Sequence, residues 1–85
     1  SPAKLRRSVA AGLLTDATVA FFESPLRLAR TLSLIAPLCG DRPVVVAREL
    51  TKVHETFHTG TAASLAELFA AHPPRGECTV LIGAS

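Results

Sequence analysis

Methionine, tryptophan and tyrosine are absent from the sequence, and cysteine occurs only twice. Without an initiator methionine, the chain reads as a processed piece of a longer protein. Cys39 and Cys78 are widely separated and fit no C-x-x-C pattern, which excludes a disulfide scaffold and a cysteine zinc cluster and leaves free cytosolic thiols as the expectation. No apolar run approaches the roughly 20 residues that a membrane-spanning helix needs, and no signal peptide precedes the first helix-like stretch. Charged residues make up only 19% against 48% hydrophobic, too apolar for a disordered segment. The net charge of +2 is too mild to announce a nucleic acid by itself. No repeat or low-complexity tract divides the 85 residues, so they form one domain or part of one. A domain this small buries a modest fraction of its surface, and its apolar content leaves side chains over for a further partner.

What is present is a regular alternation of elements. From Ala3 to Leu14, Leu5, Val9 and Leu13 recur at helical spacing beside Lys4, Arg6 and Arg7. Thr18 to Phe22 reads as a short buried strand. Ser24-Pro25 offers an N-cap followed by proline at the first helical position, and Leu28, Leu32 and Ile35 form the buried stripe of a helix that Pro37 and Gly40 end. Pro43 to Ala47 is an unbroken apolar, β-branched run, as in a strand covered on both faces. Val53 to Thr59 reads as a further strand closed by Gly60. Ser64 to Glu67 carries a capping-box pattern opening a helix with Leu65, Leu68 and Phe69 inward. Pro73-Pro74 stops it, and Cys78 to Ile82 is the last strand.

This order predicts an α/β domain with a mixed sheet and helices on both faces. The first strand–helix–strand passage is a right-handed parallel crossover, the polar link at Leu50-Thr51-Lys52 turns the third strand antiparallel, and the last strand returns parallel to the third. The ends of the first two strands and the start of the last then share one edge. It carries Phe22-Glu23-Ser24, Arg48 to Thr51 and Gly76-Glu77-Cys78, where open α/β sheets usually bind ligands.

His54-Glu55-Thr56-Phe57-His58 matches the zinc-protease pattern H-E-x-x-H. That chemistry needs both imidazoles on one helical turn, with Cβ atoms about 5–6 Å apart, holding a metal while the glutamate acts as base. On a strand the same four steps span roughly 13 Å. Val53, Thr56, Phe57 and Thr59 favour a strand, and only His72 and scattered carboxylates follow as a third ligand. No metal site is therefore expected, and His54 and His58 become edge or rim side chains.

Four segments together carry a resemblance. They are Pro2-Ala3-Lys4 with Arg6-Arg7, Phe21-Phe22-Glu23-Ser24-Pro25-Leu26-Arg27-Leu28, Ala47-Arg48-Glu49-Leu50-Thr51-Lys52-Val53-His54-Glu55 followed by Gly60-Thr61, and Gly76-Glu77 opening an apolar strand. In order and spacing the chain resembles the ribosomal RNA small subunit methyltransferase I family, a branch of the tetrapyrrole methylase superfamily, over essentially its whole length. The resemblance implies residues 1–85 as the C-terminal domain of a two-domain, cytoplasmic, homodimeric enzyme whose N-terminal domain is absent, so that the piece alone is inactive. It implies S-adenosyl-L-methionine as cofactor in the cleft between the domains. It also implies 2′-O-methylation of a cytidine in small-subunit rRNA. Carried over by position, Glu23, Leu50, Glu77 and Cys78 border the donor. Glu49, Lys52 and His54 are candidates to help remove the ribose proton. Lys4, Arg7, Arg27 and Arg48 are candidates for RNA contacts. Other readings remain open. Glu23 also complements a helix dipole, Arg27 with Arg30 and Lys4 with Arg6 and Arg7 also read as solvated helix faces, and Arg48, Glu49 and Lys52 as a charged hairpin. A tetrapyrrole methylase half and a non-enzymatic dimerisation module are the alternative functions.

Overall fold

The computed structural model describes residues 18–51 and 54–84, with the backbone alone for 49–51, 54 and 55. The expected N-terminal helix lies outside the described residues. The remaining elements follow the expected order: β1 (Val19–Glu23), α1 (Leu28–Cys39), β2 (Val44–Thr51), β3 (His54–Gly60), α2 (Ala62–Ala71) and β4 (Glu77–Ile82). β2 runs beyond its apolar core through Arg48 to Thr51, because its polar residues still find ladder partners on β3 and β4.

The four strands lie in the order β1-β4-β2-β3. As expected, β1 and β2 point one way and β3 and β4 the other. The sheet is nevertheless antiparallel rather than mixed, since every neighbouring pair is antiparallel. The crossover from β1 to β2 leaves a gap one strand wide, and β4 enters it running the opposite way. Two strands expected to be parallel neighbours therefore never touch as a pair.

One cluster holds the core: Leu28, Leu32 and Ile35 of α1, Leu65 and Phe69 of α2, and Val44, Val46, Val80 and Ile82 of the sheet. Strand alternation puts those four sheet residues on a single face. Both described helices therefore pack on that face and against each other, and the expected third helix, whose place would decide whether both faces are covered, lies outside the described residues. Among the described residues the reverse face stays open, with Phe22 83% and Phe57 63% exposed.

Local chemistry sets the helix ends differently from the sequence patterns. Ser24 does not cap α1. Its hydroxyl accepts from Leu26 N (3.2 Å) and its carbonyl from Arg27 N (3.0 Å), so Ser24 to Arg27 form a turn and the helix starts at Leu28. Pro37 sits inside α1 and does not end it. Its missing N–H leaves the carbonyl of exposed Ser33, one turn back, to water, and Gly40 at φ 55° closes the helix. The cap of α2 is Thr61 and not Ser64. Thr61 Oγ1 accepts from Ser64 N (3.1 Å) while Ser64 Oγ accepts from Thr61 N (3.0 Å), a reciprocal box three residues earlier than expected.

Gly60 explains why that box fits. A Cβ at Gly60 would lie 2.6 Å from Ser64 Oγ. Gly60→Ala is expected to push Ser64 out of the box and to lower stability by about 1 kcal/mol, the usual worth of an N-cap. Urea unfolding of the two proteins checks this, and Ser64→Ala in the alanine-60 background should then cost almost nothing more.

Candidate functional site

The register lines up four side chains across the helix-bearing face. Glu23 ends β1 opposite Cys78 of β4, Cys78 lies opposite Arg48 of β2, and Arg48 lies opposite Thr56 of β3. The first row of the sheet is thus a polar border, Glu23–Cys78–Arg48–Thr56, next to the apolar rows that make the core. The rim deduced from topology exists: the end of β1, the start of β4 and the far part of β2 meet at one end of the sheet.

Glu23 is the best-determined group in this row. Its carboxylate accepts from Thr31 Oγ1 (2.6 Å), from Ser24 N (2.7 Å) and from Arg27 Nε (3.2 Å). Partial burial pushes its carboxyl up, but the hydrogen bonds from Thr31, Ser24 and Arg27, with the Arg27 charge, outweigh that and hold it below the ordinary value of 4.5. An ionised carboxylate has about four acceptor positions. Among the described residues three are occupied and one is left, while the carboxylate ties the end of β1 to the first turns of α1. Thr31, itself 5% exposed, was not among the sequence candidates. Its signal is faint: a lone hydroxyl within the Leu28–Leu32–Ile35 stripe.

Cys78 is buried between unlike charges. Burial raises its thiol pKa, Arg48 lowers it and Glu23 raises it, with a net upward shift. A protonated, buried thiol is a packing and positioning group rather than a nucleophile. The Cys39 thiol is likewise pushed up by burial, against a lowering by Arg42. Arg48 donates from Nε to Thr56 Oγ1 at 3.3 Å. Arg27 is more open, with a side chain 70% exposed and only its Nε committed to Glu23. Among the described residues its two NH2 groups have no hydrogen-bond partner, and they are exposed donors.

Beside this row lies an open cavity of about 600 Å³ lined by Phe22, Glu23, Ser24, Pro25, Arg27, Glu77 and Cys78. That is within the range of small-molecule sites, roughly 300–1,000 Å³. Its wall combines an exposed ring, a proline face, two carboxylates and a guanidinium. Gly76, at φ 79°, makes the turn that brings Glu77 and Cys78 to this wall.

The remaining candidates divide. Glu49 stands opposite Glu77 and Glu55 on β2. Its backbone position in the ladder is one residue on from the row of Glu23 and Arg48. Leu50 continues β2 at the same end, and His54 pairs with Thr51 across an irregularity in the ladder. Lys52, Lys4 and Arg7 lie outside the described residues. His54 to His58 is strand and not helix, so the two imidazoles of the zinc-like pattern cannot share a metal. His58 instead meets the Phe69 ring edge-on at 5.1 Å. No group of three metal-binding side chains occurs among the described residues, and none of their helices is long and apolar enough to cross a membrane.

No family model matches the chain. Individual proteins do. It is 46% identical over 69 residues to a ribosomal RNA small subunit methyltransferase I of Mesorhizobium japonicum, which is 79% of this chain and 24% of that protein. The protein of the same name from Thermotoga maritima is 44% identical over 64 residues, 75% of this chain and 29% of the relative. That of Bacillus subtilis is 42% identical over 69 residues, 80% of this chain and 24% of the relative. The chain thus spans about a quarter of the length of the curated relatives it matches. By this similarity, which falls on the C-terminal part of those proteins, the chain belongs to the ribosomal RNA small subunit methyltransferase I family.

Proposed function

We propose that the chain is the C-terminal domain of a cytoplasmic, homodimeric S-adenosylmethionine-dependent enzyme that methylates the ribose 2′-hydroxyl of a cytidine in small-subunit rRNA. In this reading it forms one wall of a cleft whose other wall is a separate N-terminal domain. The observation that carries it is the convergence of Glu23, Glu77 and Cys78 on one open cavity, in a chain whose relatives bear the name of an rRNA methyltransferase.

The residues present fit a nucleoside-bearing ligand. A ribose diol needs an acceptor, and the position left on Glu23 offers one. A flat ring needs an apolar surface, and Phe22 and Pro25 offer it. When bound, the donor supplies an activated methyl group on a sulfonium. The chain's own task is to hold the hydroxyl in line and exclude water. Leu50 would border the donor from β2. Glu49 of β2, His54 of β3 and Lys52 between them in sequence are the groups proposed to assist proton removal. Arg27 has exposed N–H groups for an RNA phosphate, and Arg48, already bound to Thr56, would hold the rim behind it.

The test joins the chain to its N-terminal domain and supplies labelled donor with small ribosomal subunits. The expected product is one 2′-O-methylcytidine. Transfer to a tetrapyrrole alone, or donor binding without any RNA product, would overturn the substrate assignment.

A further inference from the structure

Leu26 is 95% exposed, although it sits on one of the best-fixed turns among the described residues. Pro25 restricts the backbone just before it. Ser24 Oγ accepts from Leu26 N and Ser24 O from Arg27 N, while the Glu23 carboxylate accepts from Ser24 N and Arg27 Nε. A leucine held out on such a turn is already ordered for a contact, which lowers the cost of making one. Leu26 does not line the neighbouring cavity, so its partner is something other than the occupant of that cavity.

Exposed arginines flank this leucine. Arg27 follows it with a side chain 70% exposed, and Arg30 stands exposed one helical turn further on. Arg75 reaches the same end of the sheet by another route. It lies two residues before β4, whose start stands opposite the end of β1. Pro74 before it is buried and Gly76 after it turns at φ 79°, so the backbone on both sides of Arg75 is held. Among the described residues the side chains of Arg30 and Arg75 make no ion pair. We infer that Leu26, Arg27, Arg30 and Arg75 form a docking surface for an RNA strand, with guanidinium groups on its phosphates and the leucine against a base. The guanidinium fork matches a phosphate, and a nucleic-acid backbone offers phosphates at close, regular intervals. An apolar side chain set among arginines is also a known way to wedge a base step. The partner class rests on the proposed rRNA activity. The surface extends that reading, because it guides the strand past the rim and leaves the cavity to the donor.

The test uses the chain joined to its N-terminal domain, with small ribosomal subunits as the probe. Subunit affinity is measured between about 50 and 200 mM salt. Arg30→Gln and Arg75→Gln should each weaken binding several-fold. Each should also flatten the slope of log affinity against log salt by about 0.7–0.9, the worth of one phosphate contact. Leu26→Ala should weaken binding about 10-fold, as expected for a leucine withdrawn from an apolar contact, with the slope unchanged. Donor affinity and thermal midpoint should stay at parental values in all three, since the side chains are exposed. Parental affinity and slope in the variants overturn the inference and leave the proposed activity standing. A lower thermal midpoint or donor affinity with an unchanged slope in the arginine variants also overturns it, in favour of a contact with the N-terminal domain. A parent that binds subunits without methylating them strikes the proposed activity, and the surface stands if the arginine variants still flatten the slope. A parent that binds no subunits overturns both.

Discussion

Glu23→Ala is expected to lower stability by about 2–4 kcal/mol and, in the joined enzyme, to reduce kcat/KM about 100-fold. The first figure follows from what the carboxylate holds. Thr31 donates to it at 2.6 Å from a site only 5% exposed, and Ser24 N donates at 2.7 Å. A buried donor stripped of its acceptor costs about 1–3 kcal/mol, and two are stripped at once, one more accessible to water than the other. The second figure follows from geometry. Without the carboxylate, the Ser24–Arg27 turn loses its tie to β1 and to α1, and a displacement of about 1 Å in a positioning element costs on the order of 100-fold in rate. Thr31→Val separates the effects, because it removes the donor with nearly the same shape and leaves the remaining acceptor of Glu23 in place. Stability should fall by less, and activity by far less.

The same carboxylate fixes a pH dependence. Its pKa is held below 4.5 in the folded chain, so the native state binds fewer protons than the unfolded state in that range. The stabilisation is complete above the ordinary carboxylate value and is lost as pH falls through the lower, folded one. Unfolding curves of the parent should weaken along that acid limb. Those of Glu23→Gln should start lower near neutrality and show less further loss.

Leu32→Ala is expected to cost about 2–5 kcal/mol. Leu32 is fully buried in the single cluster between α1, α2 and the sheet. A domain of 85 residues holds about 4–13 kcal/mol in all, at roughly 0.05–0.15 kcal/mol per residue. One such cavity therefore removes a large share, and at the low end of that range the variant is substantially unfolded at room temperature. Leu38→Ala, on the same helix but 40% exposed, is the control and should change stability far less. Urea midpoints at fixed slope decide both.

The sequence carried local structure well and long-range pairing poorly. Leu28, Leu32 and Ile35 marked α1, and the β-branched run after Pro43 marked β2, because each element's burial leaves its own period in the chain. The strand reading of His54 to His58 held because Thr56, Phe57 and Thr59 suit a pleated surface. The insertion of β4 between β1 and β2 was not legible, since no local pattern records which strand fills a gap. The caps failed for a related reason. Ser24 and Ser64 are sound caps in isolation, but a carboxylate one residue before Ser24 and a glycine one residue before Thr61 decided where the helices begin. At the rim, topology brought Glu23, Glu77 and Cys78 together as expected.

Of the described strands, the last in the chain is one of the two at the heart of the sheet. Among the described residues β4 supplies every ladder partner of β1 and lies along β2 as well. During synthesis β1 therefore has no described strand to pair with until β4 has left the ribosome. Of the described elements, the β2–β3 hairpin and two helices precede that moment. A nascent chain stalled before Glu77 would present an unpaired edge on each side of an empty slot, the state in which strand edges invite wrong partners.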